Sequence, residues 1–180
     1  MGERGTGSGP DLKAASDAAR GPAVIAVTAD DDRYADARRR AMDVAANEHA
    51  RLILYDWDAA TVLGDPLPSA WSAEGTDEAV PSELDVSDLE AAGREPLIRQ
   101  LREAEGKGIE TTAWLPSSPG PEALATYARE HGATTIVVAA ELHASGELER
   151  LVSAASDPVD ALRQDAPAAR LIVVPEPPRP

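Results

Sequence analysis

Short apolar runs separated by longer amphipathic segments recur along the chain. Most of the runs are rich in Val, Ile and Leu, and they do not alternate between apolar and polar positions. They lie at residues 23–27, 52–55, 111–115, 136–138 and 171–174. Strands that are buried on both faces of a parallel sheet have this pattern, because packed helices cover both sets of side chains. The runs therefore predict five buried strands.

The segments between the runs have the spacing of helices. In residues 31–48, Tyr34, Ala37, Ala41 and Val44 recur on one helical face, with charged residues opposite. Further helices are predicted at residues 86–92, 96–106, 121–132 and 148–162. This regular alternation predicts an α/β domain with a single five-stranded parallel sheet, right-handed crossovers and helices on both faces.

Residues 58–85 interrupt the alternation. They contain Gly64, Pro66, Gly75 and Pro81 but no long periodic run, and Trp71 is their only aromatic residue. Long segments of this kind are uncommon inside a compact domain. We predict an insertion that forms a mobile flap beside the second strand. Early protease cleavage is expected within residues 64–81, with Trp71 packing the flap against the domain.

The two ends of the chain differ in composition from the region between them. Residues 1–20 lack the apolar segment of a signal peptide and predict a flexible tail, and residues 176–180 predict a proline-rich tail. The domain is expected to span residues 21–175. No apolar stretch approaches the roughly 18 residues of a membrane-spanning helix, so no membrane segment is predicted.

The charge of the chain argues against polyanionic partners. The formal net charge is −15 and the sequence pI is about 4.5, which disfavours binding to nucleic acid or to an anionic membrane. Residues 38–40 are three arginines between acidic residues, and this pattern predicts a solvated helix face. The absence of cysteine excludes disulfides and thiolate sites and is compatible with a cytoplasmic location.

Three segments of the chain resemble the universal stress proteins, a family of α/β domains related to adenine-nucleotide α-hydrolases. The segments read AVIAVTADDDRYADARRRAMDVAANEHARLILYDW, PGPEALATYAREHGATTIVVAA and GELERLVSAASDPVDALRQDAPAARLIVVPE. The resemblance covers residues 21–175 and implies the strand order 3-2-1-4-5. In that order residues 171–174 form an apolar sheet edge, and the resemblance implies a homodimer through this edge.

The resemblance also implies where ATP would bind. Members that bind ATP have an acidic residue after the first strand and a glycine-rich phosphate loop after the fourth. Here the candidate positions are Thr28 with Asp30 after the first strand and Ala139, Gly146 and Ser156 for the loop. Alanine replaces the first loop glycine, so a backbone that closely approaches phosphate is not favoured there.

Negative charge further weakens that candidate site. Glu141 and Glu147 lie in the segment where polyphosphate would be held. We therefore predict a degenerate site and no cofactor. Binding of ATP, with Mg²⁺, is the alternative.

Other chemistry-bearing residues have structural explanations. Asp30, Asp31 and Asp32 suit the N-terminus of a helix. They do not predict the Mg²⁺ site of a phosphoacceptor domain, because the aspartate after the third strand and the lysine after the fifth are missing. Asp56 and Asp58 are expected to act at the entry to a loop rather than as an acid–base pair.

The three histidines share no metal-ligand spacing. His49 and His131 are predicted at helix C-termini, and His143 alone is placed near the expected crevice. Nucleophile-elbow, dinucleotide-binding and complete phosphate-loop motifs are absent from the sequence. No metal site and no enzymatic activity are predicted, and weak ATP hydrolysis is the alternative.

The sequence therefore predicts a regulatory, stress-response protein that resembles the universal stress proteins. It is expected to act through a homodimer formed by residues 171–174 and through contacts with a protein partner that the sequence does not identify. The alternative is a regulator that binds an adenine nucleotide through a divergent phosphate loop.

Overall fold

A computed structural model describes residues 21–29, 32–58, 83–116, 120–140, 142 and 157–175. The strands within these ranges are β1 (Ala23–Thr28), β2 (Arg51–Asp56), β3 (Thr111–Trp114), β4 (Ala133–Ala139) and β5 (Arg170–Val174). The helices are α1 (Ala35–Glu48), α2 (Val86–Ala91), α3 (Glu95–Glu105), α4 (Pro121–Glu130) and α5 (Pro158–Asp165).

The five strands form one parallel sheet in the order β3-β2-β1-β4-β5. Every residue of β1 and β2 is buried, and the last five residues of β4 are buried as well. The uninterrupted apolar runs of the sequence arise from this burial on both faces. The predicted α/β class, the single parallel sheet and the strand order implied by the resemblance are all confirmed.

Helices cover both faces of the sheet. Arg38 of α1 and Gln100 of α3 both reach the hydroxyl of Thr28, which places these two helices on the same face. The helices α4 and α5 pack against each other. Right-handed crossovers from β3 to β4 and from β4 to β5 place this pair on the opposite face. Among the described helices, none is long and apolar enough to cross a membrane.

Two of the described helices begin several residues later than predicted. The first helix begins at Ala35 rather than at residue 31, after a turn in which the amide of Ala35 donates to the carbonyl of Asp32 at 3.0 Å. The last helix begins at Pro158, where the carboxylate of Asp157 accepts from the amides of Val159 and Asp160. A capping aspartate followed by proline is a strong start signal that the periodicity over residues 148–162 obscured.

The predicted insertion is described only at its two ends. Near its C-terminal end, Leu84 is fully buried and forms an antiparallel bridge with Ala113 of β3. The capping box of Asp85 and Asp88 then starts α2. Residues 83–85 are therefore packed onto the domain. The flap predicted within residues 64–81, Trp71 and both predicted tails lie outside the described residues.

Candidate functional site

The carboxyl ends of β1 and β4 lie side by side at the centre of the sheet. The chain leaves β1 toward β2 on one side, and it leaves β4 toward β5 on the other. Such a switch point is where open parallel sheets bind ligands. Thr28 and Ala139 are the last residues of these two strands, and Ala26 pairs with Val137 two residues earlier in each. Two of the predicted site residues are thus brought together.

The side chain of Thr28 is bonded to the helices that cover it. Its hydroxyl donates to Oε1 of Gln100 at 2.8 Å, and the hydroxyl oxygen of Thr28 in turn accepts from Nη1 of Arg38 at 3.5 Å. Gln100 completes the arrangement by donating from Nε2 to the carbonyl of Ala29 at 2.9 Å. Thr28 and Gln100 are fully or almost fully buried. The polar groups at the end of β1 are therefore satisfied within the protein.

The three successive arginines of α1 do not share one environment. Arg38 is only 5% exposed, whereas Arg39 and Arg40 are exposed. The guanidinium of Arg38 donates to Asp32 at 3.3 Å, and its Nε lies 3.9 Å from a carboxylate oxygen of Glu103. The prediction of a solvated face is wrong for Arg38, because its position in the helix directs it toward Thr28. A basic run in a sequence does not reveal which member points inward.

The aspartates at the end of β2 and two residues beyond it are each paired with an arginine. Asp56 is fully buried and forms an ion pair with Arg94, whose side chain is 7% exposed. Asp56 also accepts from the amide of Asp58 at 3.0 Å, and Asp58 forms its own ion pair with Arg33. Both carboxylates therefore stabilise the turn that follows β2, as expected for residues at a loop entry. The sequence showed no partner for Asp56, since Arg94 is 38 residues away.

The end of β4 continues its hydrogen bonding toward β5. Ala139 is 4% exposed and pairs with Val174, and the amide of Ala140 donates to the carbonyl of Val174 at 2.8 Å. The first backbone amide after β4 is thus bonded to β5 and not directed at the crevice. The other predicted site residues, Asp30, Gly146 and Ser156, lie outside the described residues, as does His143.

Five aromatic rings form a continuous ladder on the face of the sheet that α4 covers. Successive ring centroids are separated by 6.0, 5.0, 3.8 and 4.0 Å. The rings belong in order to Trp57, Tyr55, Trp114, Tyr127 and His131. Sequence patterns missed this cluster because its members come from β2, β3 and α4 and from the residues that directly follow β2 and α4. The only signals in the sequence were the alternate positions of Tyr55 and Trp57, and the spacing of four residues between Tyr127 and His131, which places each pair on one face.

The hydroxyl of Tyr55 holds the start of α4. It accepts from the amide of Gly120 at 3.1 Å and lies 3.4 Å from the carbonyl of the same residue. Burial raises the pKa of Tyr55 to about 12, although the bond from Gly120 opposes this rise. Tyr55 is therefore neutral near physiological pH and acts as a structural contact.

A buried charge cluster closes the far end of the ladder. Nδ1 of His131 lies 3.2 Å from Oε1 of Glu83, and Nη1 of Arg51 donates to the same oxygen at 2.5 Å. Arg51 also donates from Nη2 to the carbonyl of His131 at 3.0 Å. Burial opposes ionisation of Glu83, but hydrogen bonds and charges from His131 and Arg51 outweigh it and lower its pKa to about 2. His131 ends α4 as predicted, and its role is this packed contact.

An open depression of about 280 Å³ lies away from the switch point. It is lined by the end of α1 and by the segment that precedes β3, including His49, Arg51 and Glu110. These residues are near the amino ends of the strands. His49 ends α1 in a left-handed conformation with φ of 52°. Within the described ranges, no group of three or more His, Asp or Glu side chains is arranged to hold a metal ion.

The chain is similar to solved structures of universal stress proteins. One, crystallised in complex with cAMP, is 22% identical with a TM-score of 0.50, over 85% of this chain and 96% of that one. A universal stress protein from Archaeoglobus fulgidus in complex with dAMP is 16% identical with a TM-score of 0.48, over 84% and 95% of the two chains. At such low identity the first match establishes the fold, which confirms the predicted resemblance at that level.

Other comparisons find no relative. No model of a known protein family matches the sequence, and no curated protein matches it.

Proposed function

We propose that this chain is a divergent universal-stress-like regulatory protein that acts through self-association and contacts with another protein, without an ATP site of the family's kind. The observation that carries the proposal is the exposed edge position of β5. The strand stands at the edge of the sheet, and its apolar side chains from Leu171 to Val174 are only partly buried. An apolar edge strand that remains accessible favours pairing with another chain.

The flanks of β5 limit how far such pairing extends. Arg170, at its start, forms an exposed ion pair with Glu48 of α1 at 2.5 Å. Pro175 follows its end and has no amide hydrogen to donate. About four residues per chain are therefore available, which suits a closed two-fold dimer. The proposed dimer buries the four partly exposed side chains and satisfies the outer backbone groups of the edge.

The environment of Thr28 supports the absence of the family's ATP site. A nucleotide base that approached the end of β1 would have to compete with Gln100 for the hydroxyl of Thr28 and the carbonyl of Ala29. Breaking buried hydrogen bonds without replacing them costs about 1–3 kcal/mol for each unsatisfied group. Glu141 and Glu147 add negative charge to the segment after β4. These features favour a protein that is not an enzyme and carries no cofactor.

The alternative is a regulator that binds an adenine nucleotide, with Mg²⁺, and hydrolyses ATP slowly. It is favoured by the cAMP complex of the fold neighbour with a TM-score of 0.50. In that case Gly146 and Ser156 are the residues expected to approach the phosphates. A cytoplasmic location is part of either proposal, and the lack of cysteine is compatible with it.

Two measurements test these proposals. Light scattering at high micromolar concentration should give a dimer for the parent protein and a monomer for Ile172→Asp, which places a charge in the centre of β5. Ala133→Asp is the control, because Ala133 is also partly buried but starts β4, which has a neighbouring strand on each side. A monomeric parent, or a folded Ile172→Asp variant that stays dimeric, contradicts the β5 dimer.

Calorimetry with ATP, ADP, AMP and cAMP, each with and without Mg²⁺, tests the proposed loss of the ATP site. We expect dissociation constants weaker than about 0.1 mM, which corresponds to about 5.5 kcal/mol of binding free energy. Micromolar ATP binding contradicts the proposed loss of the site and favours the alternative.

A further inference from the structure

The second edge of the sheet, β3, is closed by the chain itself. The amide of Leu84 donates to the carbonyl of Ala113 at 2.7 Å, and the amide of Ala113 donates to the carbonyl of Leu84 at 2.9 Å. These two bonds form the antiparallel bridge on the side of β3 that faces away from β2. A single residue therefore occupies the central backbone groups of an edge that is four residues long.

The bridge is held by side chains on both sides of Leu84. Leu84 itself is fully buried in the core. Glu83 precedes it and is tied to Arg51 at 2.5 Å and to His131 at 3.2 Å. Asp85 follows it and starts α2 with a side chain that accepts from Ser87 and Asp88. Residues 83–85, hereafter the edge strap, are thus fixed by three independent sets of contacts.

The geometry of the bridge also identifies what the edge accepts once it is vacated. The bridge between Leu84 and Ala113 is antiparallel, so the outward backbone groups of Ala113 already bond to an antiparallel partner. When two copies of one chain meet across a two-fold axis, the same strand of each copy runs antiparallel to the other. A β3 strand from a second copy would therefore meet this edge in the same antiparallel direction as the edge strap does.

We propose that the edge strap is an autoinhibitory contact, which occupies a strand-pairing surface on β3 that otherwise accepts β3 of a second copy of this chain. Natural sheets protect their edges because open strands associate without limit. With β5 free and β3 closed, association stops at two copies. With both edges free, the same chains grow into longer assemblies. This last consequence rests on the proposed β5 dimer, whereas the pairing surface on β3 does not.

The test therefore uses a background in which β5 is blocked. In Ile172→Asp, the added Glu83→Gln removes the charge that anchors the edge strap but keeps the shape of the side chain. Leu84→Pro is the second variant, because it removes the donor to Ala113 and leaves Glu83, Arg51 and His131 unchanged. Glu90→Gln is the control, since Glu90 forms an exposed ion pair with Arg102 at 2.9 Å.

We expect amide exchange at Ala113 to accelerate by about tenfold or more in both strap variants at low concentration, while Ile25 in β1 keeps its protection. Light scattering should then show concentration-dependent dimers for both variants and monomers for Ile172→Asp alone and with Glu90→Gln. On the parent background, both strap variants should give assemblies larger than a dimer.

Two results overturn the proposal. The first is a folded Leu84→Pro variant, with faster exchange at Ala113, that stays monomeric on the Ile172→Asp background. The second is unchanged exchange at Ala113 in both strap variants, which would mean that residues 83–85 do not protect the edge. A monomeric parent protein contradicts the β5 dimer alone, because the strap variants still report on β3 in that case.

Discussion

The carboxylate of Asp56 and the guanidinium of Arg94 form a buried ion pair where β2 ends and α3 is about to begin. Asp56 is fully buried, so its charge is far from solvent and depends on Arg94 and on the amide of Asp58. Arg94 directly precedes α3, the helix that carries Gln100 to the end of β1. The pair therefore helps to position the helix whose side chain occupies the switch point.

Loss of this pair should strongly destabilise the protein. Arg94→Ala leaves the charge of Asp56 buried without its main partner, and removal of one member of a buried pair costs about 3–5 kcal/mol. Arg102→Ala is the matched control, because Arg102 pairs with Glu90 in an exposed position and should contribute less than about 1 kcal/mol. Urea unfolding of the three proteins gives both differences. Equal losses for the two variants would contradict a stabilising role for the buried pair.

The fold was predictable because burial leaves a strong mark on a sequence. In β1, all six residues are buried, and none of the first five is polar. Pro121 and Gly132 likewise bracket α4 with ordinary start and stop signals. The strand order required the resemblance, since periodicity does not tell which strands are neighbours.

The candidate site was less predictable because its contacts join distant parts of the chain. Thr28 was identified by its position after β1, but its partner Gln100 is 72 residues away. Glu83 was included in the insertion, yet it binds Arg51 and His131, which lie 32 and 48 residues from it. A polar residue in the sequence is compatible with an exposed helix face, a loop or a buried contact. Which polar residues contact one another depends on the fold.

Acid should weaken the contribution of Glu83 to stability. Its pKa is lowered from 4.5 to about 2 in the folded protein. A lowered pKa means that the folded state binds this proton less tightly than the unfolded state, so the stabilisation is fully present above about pH 4.5. It decreases as the pH falls from 4.5 toward 2. We expect the stability difference between the parent and Glu83→Gln to be largest near pH 6 and to shrink steadily toward pH 3.

The measurement for Glu83 is urea unfolding of both proteins at a series of pH values. Asp160→Asn is a useful control, because Asp160 pairs with Arg163 in an exposed position on α5. Its difference from the parent should be small throughout. A difference for Glu83→Gln that is constant from pH 6 to pH 3 would contradict the role of the lowered pKa.

The aromatic ladder should contribute more than its buried area. The ring of Tyr127 is stacked between Trp114 at 3.8 Å and His131 at 4.0 Å. Tyr127→Leu keeps an apolar side chain but removes both stacked contacts, and each is worth about 0.5–1.5 kcal/mol. We therefore expect a loss of about 1–3 kcal/mol beyond that caused by the same change at Tyr34.

Tyr34 suits this comparison because it is equally buried and the guanidinium of Arg33 lies 5.6 Å from the centre of its ring. Tryptophan fluorescence should also change in Tyr127→Leu, since Trp114 loses its stacked neighbour. If the two variants lose the same stability and the fluorescence of Tyr127→Leu is unaltered, the ladder is no more than ordinary core packing.

The hydroxyl of Thr28 should be needed for stability but not for association. Thr28→Val preserves the shape of the side chain and leaves Oε1 of buried Gln100 without its donor, at a cost of about 1–3 kcal/mol. Thr126→Val in α4 is the control, because Thr126 is half-buried and its hydroxyl accepts an exposed hydrogen bond from Arg129 at 3.1 Å. It should change stability by less than about 0.5 kcal/mol. Because β4 separates β1 from β5, the mass in light scattering should be the same for Thr28→Val and the parent. A stable Thr28→Val variant would show that Gln100 finds another donor, and a changed mass would connect the switch point to the sheet edge.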